Sequence, residues 1–464
     1  MARTKEIVDM TKGPFFKKIL IFAIPVILTG FLQQFYNMAD LIVVGQFVNA
    51  NALSAVGSTS PITAVATGFF LGLAIGGGVC AAHSVGAKRE HEVGNVLHTS
   101  FILSTVLGVL IGAVGIIFAP QFLMLMDTPA DIMDMSVLYL RIVFFGVPAN
   151  LIYSFMAAIM RACGDSKRPL LFLSISGIFN IVLNVICVTV FDLGVFGVAL
   201  STALANYLAL IMIMVYLMRQ KGYLRFSFRM LSVDIEKLKK ILKIGVPSGI
   251  QSTLFNISNA SIQAAVNGFG SDVIAGVTAA GSIMSLITMS MHGLYEASVT
   301  FVGQNYGAEN YRNIKKVLLN CVSITVLIGT LMGALVVLFR YPLINLYTKG
   351  DEGVTAAAIT RLLIMGPLYV TFGVFDTVNG ALRAIGKSFT SMVISIFGII
   401  FLRLLWLWTI FKLIPTPVCL YWSYPASWMT TMFIVIIVFI YFYRKLVREN
   451  EEQTTDAEKT EVLN

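Results

Sequence analysis

The chain has 464 residues, of which 57% are hydrophobic and 12% are charged, and its mean hydropathy is +0.84. Soluble globular domains carry about 25% charged residues, so this composition excludes a soluble protein and predicts a helical membrane protein. The formal net charge of +9 could suit a nucleic-acid partner. However, the basic residues are spread between apolar segments, so we expect no such partner.

Twelve apolar segments are each long enough to cross a hydrocarbon core of about 30 Å. They are predicted at about 15–48, 52–83, 93–119, 132–160, 169–191, 195–218, 238–268, 272–304, 313–339, 354–382, 388–412 and 418–443. We expect an all-α polytopic protein with two six-helix lobes, 15–218 and 238–443. A connector at 219–237 joins the lobes, and terminal segments 1–14 and 444–464 flank them.

Lysine and arginine residues alternate between successive connections of the chain. All but six of the 33 lie in or beside the two terminal segments and the connections after the second, fourth, sixth, eighth and tenth spans. The six others are Arg141, Arg340, Lys349, Arg361, Arg403 and Lys412. Because basic residues stay on the cytoplasmic side, this asymmetry predicts that both termini are cytoplasmic. The expected location is the plasma membrane of a prokaryote.

The two halves of the chain repeat each other with an offset near 221 residues. AIPVILTG from Ala23 corresponds to KIGVPSGIQ from Lys243, and VGAKREHEVGNVL from Val85 corresponds to YGAENYRNIKKVL from Tyr306. Six spans separate the members of each pair, so both halves have the same orientation. Parallel repeats of this kind predict alternating access around a central cavity.

The stretch QQFYNMADLIVVG places an aspartate inside the first apolar segment. At helical spacing, Gln33, Tyr36, Asn37 and Asp40 fall on one face. An ionisable group within a span costs roughly 3 kcal/mol on insertion scales and is a functional site by default. We therefore predict a functional role for Asp40, with a carboxylate that merely reaches the outer interface as the alternative.

Polar side chains recur at helical spacing in several later spans. A single Asn, Ser or Thr more often joins helices than lines a cavity, but the stripes together predict a cavity. Three acids with no cation nearby in the sequence, Asp40, Glu296 and Asp376, together with aromatic faces, suit an organic cation. The expected lining residues are Gln33, Tyr36, Asn37, Asn150, Tyr153, Asn206, Tyr207, Asn256, Asn259, Gln263, Met289, His292, Glu296 and Asp376.

No motif in the chain predicts catalysis. ALRAIGKS from Ala381 resembles a phosphate-binding loop, but it follows a membrane helix instead of a strand, so we expect no ATP site. The four histidines lack the spacing of a metal site, and no nucleophile lies at motif spacing from a base. We therefore expect no enzyme activity and no cofactor.

Several short motifs resemble the multidrug and toxic compound extrusion (MATE) family of cation-coupled efflux transporters. They are NMADLIVVGQF, VGAKRE, QNYGAEN and LRAIGKS, and the resemblance covers about residues 10–445. Their order and spacing are specific together. The resemblance implies two six-helix lobes that open alternately, with drug leaving as H⁺ or Na⁺ enters.

The DinF-like branch of this family implies a coupling site in the N-terminal lobe. The matching residues are Asp40, Asn180, Asn184 and Thr202. Asn184 departs from the aspartate of the family motif, which removes one negative charge and leaves Asp40 as the expected titrating group. Beyond Na⁺ at Asp40, we expect no metal ion. The acid that another branch keeps in its seventh helix is missing near Phe255, so coupling there is not expected.

The expected function is secondary active export of organic, mainly cationic, drugs by antiport with H⁺ or Na⁺. Neutralisation of Asp40 would change the first helix at the Pro25 bend, because proline removes a backbone hydrogen bond. One pair of lobes makes a monomer sufficient. The alternative is a flippase for a lipid-linked oligosaccharide or lipid precursor, which Arg141, Arg361 and Arg403 favour. The twofold repeat argues against a receptor or channel.

Overall fold

The computed structural model describes residues 9–48, 50–348 and 351–463. Within these ranges, some side chains lie outside the described part, namely those of Asn37, Leu41, Ala50, Leu53, Glu90, Thr348 and residues 453–463. The predicted cavity residue Asn37 is therefore described only as part of its helix backbone.

The first half of the described chain is a series of long helices with one short helix between them. Their bounds are α1 (Phe15–Phe47), α2 (Ala50–Gly86), α3 (Glu90–Ile117), α4 (Ala119–Met124), α5 (Ala130–Ala162), α6 (Lys167–Thr189) and α7 (Gly194–Arg219). The bounds of the six long helices agree with the first six predicted spans. Helix α4 is a short helix of 6 residues after the third span.

The second half repeats this order with more breaks. Its helices are α8 (Ile235–Asn267), α9 (Ser271–Gly307), α10 (Tyr311–Leu338), α11 (Arg340–Thr348), α12 (Glu352–Met365), α13 (Tyr369–Ala384), α14 (Ser388–Ser395), α15 (Leu402–Trp408), α16 (Ile410–Leu413) and α17 (Pro417–Leu463). A π-helical segment, Ile396–Phe401, joins α14 to α15.

Ten of these helical segments in the described chain are long and apolar enough to cross a membrane, and the pair α12 and α13 forms an eleventh with a bend of 49°. The bend lies at Gly366 and Pro367, where proline cannot continue the backbone hydrogen bonds. The remaining predicted span is α8. Its lysine-rich start and its stripe of Ser, Asn and Gln lower its hydropathy, although its length of 33 residues is sufficient.

The described chain divides into two compact units. Unit 1 contains Ile24–Asn256, and unit 2 contains Asp9–Ala23 together with the chain from Ile257 onward. Helices α1 and α8 therefore each begin in one unit and end in the other. Pro25 lies in α1 directly after the point where the helix enters unit 1.

The start of α8 is anchored within unit 1 by a polar network. The Asp234 carboxylate accepts hydrogen bonds from the backbone N–H groups of Glu236 and Lys237, each at 3.0 Å. The Lys237 N–H in particular holds the pKa of Asp234 below its ordinary value. Lys237 also forms an ion pair with Glu92 of α3. The network thus fixes the direction in which α8 leaves the connector.

Helices α2 and α8 approach closely through glycines within unit 1. A Cβ at Gly249 would lie 2.6 Å from the Phe69 carbonyl oxygen, and one at Gly245 would lie 2.8 Å from that of Leu73. A Cβ at Gly72 would overlap the Gly249 backbone. Lipid chains are as apolar as the helix surfaces, so no hydrophobic force drives helices together in a membrane. The helices associate instead through close van der Waals packing of this kind.

Replacing Gly249 by Ala is expected to lower the thermal unfolding midpoint of the purified protein, because the added methyl forces α2 and α8 apart. Overpacking of this kind costs about 1–3 kcal/mol. The matched control is Gly281→Ala in α9, where a Cβ meets no atom within 4 Å. Alanine favours a helix over glycine, so this variant should keep or raise the midpoint. An equal loss in both variants would contradict the packing argument.

Candidate functional site

Asp40 of α1 is held by side chains of two other helices in unit 1. Asn184 Nδ2 of α6 donates to Asp40 Oδ1 at 2.6 Å, and Thr202 Oγ1 of α7 lies 3.2 Å from Oδ2. Asn184 is fully buried. The three residues that the family resemblance implied are thus brought together from positions far apart in the chain.

Asn180 completes this group one helical turn before Asn184. Its amide takes the orientation in which the nitrogen lies 3.0 Å from Asp40 Oδ1, because the opposite orientation would put the amide oxygen against the carboxylate. The amide oxygen is then 3.3 Å from both the hydroxyl and the backbone nitrogen of Thr202. The ionised carboxylate accordingly faces three donors.

The carbonyl oxygen of Asn184 is a buried acceptor that receives no hydrogen bond from the described residues. Buried polar atoms usually have a partner, so this one calls for an explanation. Together with the oxygens of Asp40, Asn180 and Thr202, it forms a group that suits a proton or a hard cation such as Na⁺. No group of three His, Cys, Asp or Glu side chains suitable for a metal ion occurs among the described residues.

Helix α1 is positioned for this site by a ring-on-glycine contact. The Tyr36 ring lies where a Cβ at Gly177 of α6 would be, and the Tyr36 hydroxyl donates to the Ser174 carbonyl at 3.2 Å. Tyr36 precedes Asp40 by one helical turn, so the same face of α1 makes both contacts. Tyr36 therefore docks α1 against α6.

Tyr139 of α5 is a neighbour of Asp40 that the sequence analysis missed. It interacts electrostatically with Asp40 and packs against the buried cluster that contains Val43, Val44 and Val198. Tyr139 begins the apolar stretch YLRIVFFG, and nothing in that sequence pattern predicts a contact with Asp40. Only the folded arrangement of α5 against α1 brings the two residues together.

Three predicted cavity residues of unit 1 donate to backbone carbonyls of neighbouring helices. Tyr153 is buried and its hydroxyl donates to the Pro169 carbonyl at 2.7 Å. Tyr207 donates to Phe145 O at 3.0 Å, and Asn256 donates to Ala64 O at 3.1 Å. These contacts join helices, and a role for the same residues in a cavity stays a prediction.

The other predicted cavity residues of unit 1 are more open. Gln33 is exposed on α1, and Asn206 is half-buried opposite Gly146. Asn150 lines a small pocket between α2 and α5 together with Ser154, whose hydroxyl lies 3.5 Å from the Asn150 side-chain oxygen. The side chain of Asn37 lies outside the described part of the structure.

Unit 2 collects the remaining predicted acids into one group. His292 Nε2 lies 3.9 Å from Glu296 Oε1 on α9, and Asp376 of α13 interacts electrostatically with both. Arg383 also faces Asp376, and it donates to the Tyr295 hydroxyl at 2.6 Å. Met289 is half-buried on the same helix as His292.

Two further predicted residues lie on α8 within unit 2. Gln263 is exposed and donates to the Asn267 side chain at 3.1 Å. Asn259 accepts a hydrogen bond from Arg403 at 3.1 Å. The structure therefore groups the predicted residues into the Asp40 site, the acid group near Glu296 and separate interhelical contacts.

Comparison with known proteins identifies relatives along nearly the whole chain. The probable multidrug resistance protein YoeA of Bacillus subtilis (strain 168) is 29% identical over 398 residues, which cover 84% of this chain and 85% of that protein. The multidrug export protein MepA of Staphylococcus saprophyticus is 24% identical over 396 residues, covering 85% and 87% of the two chains.

A solved structure shares the fold. It is described as the outward-facing conformation of a multidrug resistance MATE family transporter of the MOP superfamily. The TM-score is 0.90 at 22% identity, with 96% of this chain and 100% of that chain covered. The fold is accordingly the twelve-helix, two-lobe fold of these transporters.

The family profile matches each half of the chain separately. MatE covers residues 25–186 and again residues 247–409. The two matches begin at equivalent positions of the internal repeat, at Pro25 and Pro247. The chain belongs to the MatE family of membrane transporters.

Proposed function

We propose that this protein is a secondary active efflux transporter that exports organic compounds in exchange for H⁺, with Asp40 as the coupling residue. Two of its relatives are named as a probable multidrug resistance protein and a multidrug export protein. The observation that carries the coupling proposal is the Asp40 carboxylate, which accepts hydrogen bonds from Asn184 and Thr202 inside a span.

The Asn184 amide provides a partner for Asp40 in either protonation state. The ionised carboxylate accepts from Asn184 Nδ2, and Asn184 Oδ1 receives no hydrogen bond from the described chain. A protonated carboxyl has an O–H to donate. Rotation of the Asn184 amide then presents Oδ1 to that proton. The site thus exchanges donors and acceptors without leaving a buried charge unsatisfied.

Protonation changes the contacts that hold α1 against α6 and α7. The ionised state binds three donors from those helices, and the neutral state requires at least one of them to turn. Tyr36 and Pro25 lie on the same helix, so a shift of α1 at Asp40 extends along it. For export, the proton-loaded state must be the one that releases drug, because a ligand shifts an equilibrium only by its differential affinity.

We further propose that the substrates include organic cations. The cluster of Glu296, Asp376 and His292 in unit 2 supports this part of the proposal, since carboxylates and aromatic rings bind cations. We assign the protein to the plasma membrane of a prokaryote with both termini cytoplasmic, on the distribution of basic residues. A monomer without ATP or another cofactor is sufficient for this cycle.

Asp40→Asn should strongly reduce proton-driven export, because the amide keeps the shape of the carboxyl but cannot gain or lose a proton. Ethidium transport into proteoliposomes driven by an imposed pH gradient is the measurement. The expected loss is about 5- to 150-fold, the range of ordinary coupling free energies. Asp131→Asn, at the exposed start of α5, is the matched control and should retain transport. Undiminished export by Asp40→Asn at equal protein levels would remove Asp40 from the mechanism.

Asn184→Asp should convert the site toward Na⁺, because a second carboxylate beside Asp40 supplies the charge and oxygen ligands that hard cations prefer. Exchanging choline chloride for NaCl should then raise the thermal unfolding midpoint of this variant more than that of the wild type. Asn320→Asp, which adds the same charge at a half-buried position of α10, is the control. Equal Na⁺ stabilisation of the wild type would instead assign Na⁺ to the natural site.

A further inference from the structure

Unit 2 contains a group of two arginines and four aromatic residues within its membrane-spanning helices. We call it the arginine–aromatic cluster, and its members are Arg361 of α12, Tyr369 of α13, Arg403 of α15, and Tyr421, Tyr424 and Trp428 of α17. The transport cycle proposed above uses none of these residues.

Arg403 is fully buried in the cluster. Its guanidinium donates to Ser427 Oγ and to Asn259 Oδ1, both at 3.1 Å. The guanidinium carbon lies 4.3 Å from the centre of the Tyr424 ring. The hydroxyls of Tyr424 and Tyr369 are titratable groups that face Arg403.

Arg361 brings a second positive charge close to the same tyrosine. Its guanidinium carbon lies 5.8 Å from the Tyr424 ring centre and 5.9 Å from that of Tyr421. One of its terminal nitrogens is fixed by the Val277 carbonyl at 2.9 Å. Two guanidinium groups therefore lie near the same Tyr424 ring.

The cluster has several buried hydrogen-bond donors that find no acceptor among the described residues. They are Arg361 Nε, the Tyr421 hydroxyl and Trp428 Nε1. Tyr421 and Trp428 are each only 2% exposed. Arginine and indole nitrogens are donors only, so what the group lacks is an acceptor. Buried donors in native proteins normally have one.

The internal repeat relates this cluster to the Asp40 site. Tyr424 follows Thr202 by 222 positions and Arg403 follows Asn180 by 223, as the beginnings (25 and 247) and the ends (186 and 409) of the two family matches do. The equivalent helices of the two halves therefore carry an acidic site in unit 1 and a basic, donor-rich site in unit 2.

We propose that the arginine–aromatic cluster is a binding site for an organic anion. The anionic group, a carboxylate or a phosphate, accepts hydrogen bonds from Arg361, Tyr421 and Trp428, and the apolar part of the ligand contacts the aromatic rings. Guanidinium groups match the geometry of both anions. The site goes beyond the export of cations and does not depend on the role of Asp40.

The test measures binding of 2-naphthoate to the full-length protein in phosphatidylcholine nanodiscs without an ion gradient. Saturable binding should raise the thermal unfolding midpoint and change the fluorescence of the tryptophans, of which Trp428 lies in the cluster. The uncharged analogue 2-naphthamide should bind about tenfold more weakly or not at all, because it brings the same rings without the negative charge.

Arg361→Gln should weaken naphthoate binding about tenfold or more, and Arg361→Lys should restore part of it because it keeps the charge but loses the planar fork. Arg141→Gln removes an arginine from α5 in unit 1 and should bind like the wild type. Arg403→Gln is a second variant, and Arg361→Gln decides the question if Arg403→Gln does not fold. Unchanged binding in Arg361→Gln, equal binding of naphthamide, or no saturable binding would overturn the proposal.

Two sources of the anion are separated by a lipid arm of the same experiment. If phosphatidylglycerol copurifies with the wild type but not with Arg361→Gln, and competes with naphthoate, the natural ligand is a lipid headgroup. If naphthoate binds equally in nanodiscs with and without phosphatidylglycerol, the ligand is a free organic acid. Both results support an anion site, and they differ only in what fills it.

Discussion

The hydrogen bonds to Asp40 are the interaction on which the unit 1 site depends. A carboxylate within a span has no water to solvate it, so its charge is tolerated only where donors surround it. Asn184 and Thr202 supply those donors from α6 and α7. The requirement fixes the register of α1 against both helices, and the Tyr36 ring on Gly177 holds that register one turn away.

The two units show how one repeated scaffold carries opposite chemistry. The helices that hold Asp40, Asn180 and Thr202 in unit 1 have counterparts in unit 2 that carry Asn259, Arg403 and Tyr424. The scaffold places side chains from the first, fifth and sixth membrane span of each half next to each other; in unit 1 these spans are α1, α6 and α7. Which ion or group binds there is then decided by individual residues.

Close helix contacts explain how such polar sites persist in a membrane. Lipid chains are as apolar as the helices, so the helices associate through short backbone distances and interhelical hydrogen bonds. The glycines of α2 and α8 provide the first, and the bonds from Tyr153, Tyr207 and Asn256 to backbone carbonyls provide the second. In the proposed cycle, α1 is the element that moves, while these contacts hold the other helices in place.

The sequence by itself determined the approximate bounds of the membrane spans, the repeat and the family, because apolar length, charge alternation and recurring motifs can be read along the chain. It did not determine the breaks within the spans of the second half. The Asp40 group was predictable only through its family resemblance, since Asp40, Asn184 and Thr202 are far apart in the chain. Tertiary structure alone decided that Tyr139 approaches Asp40, that Tyr153 and Asn256 donate to particular carbonyls, and that Arg361 and Arg403 share Tyr424. Helical spacing reveals which residues share a face, but it cannot reveal what that face contacts. A buried polar atom needs a hydrogen-bond partner, and only the tertiary fold determines which group is close enough to be that partner.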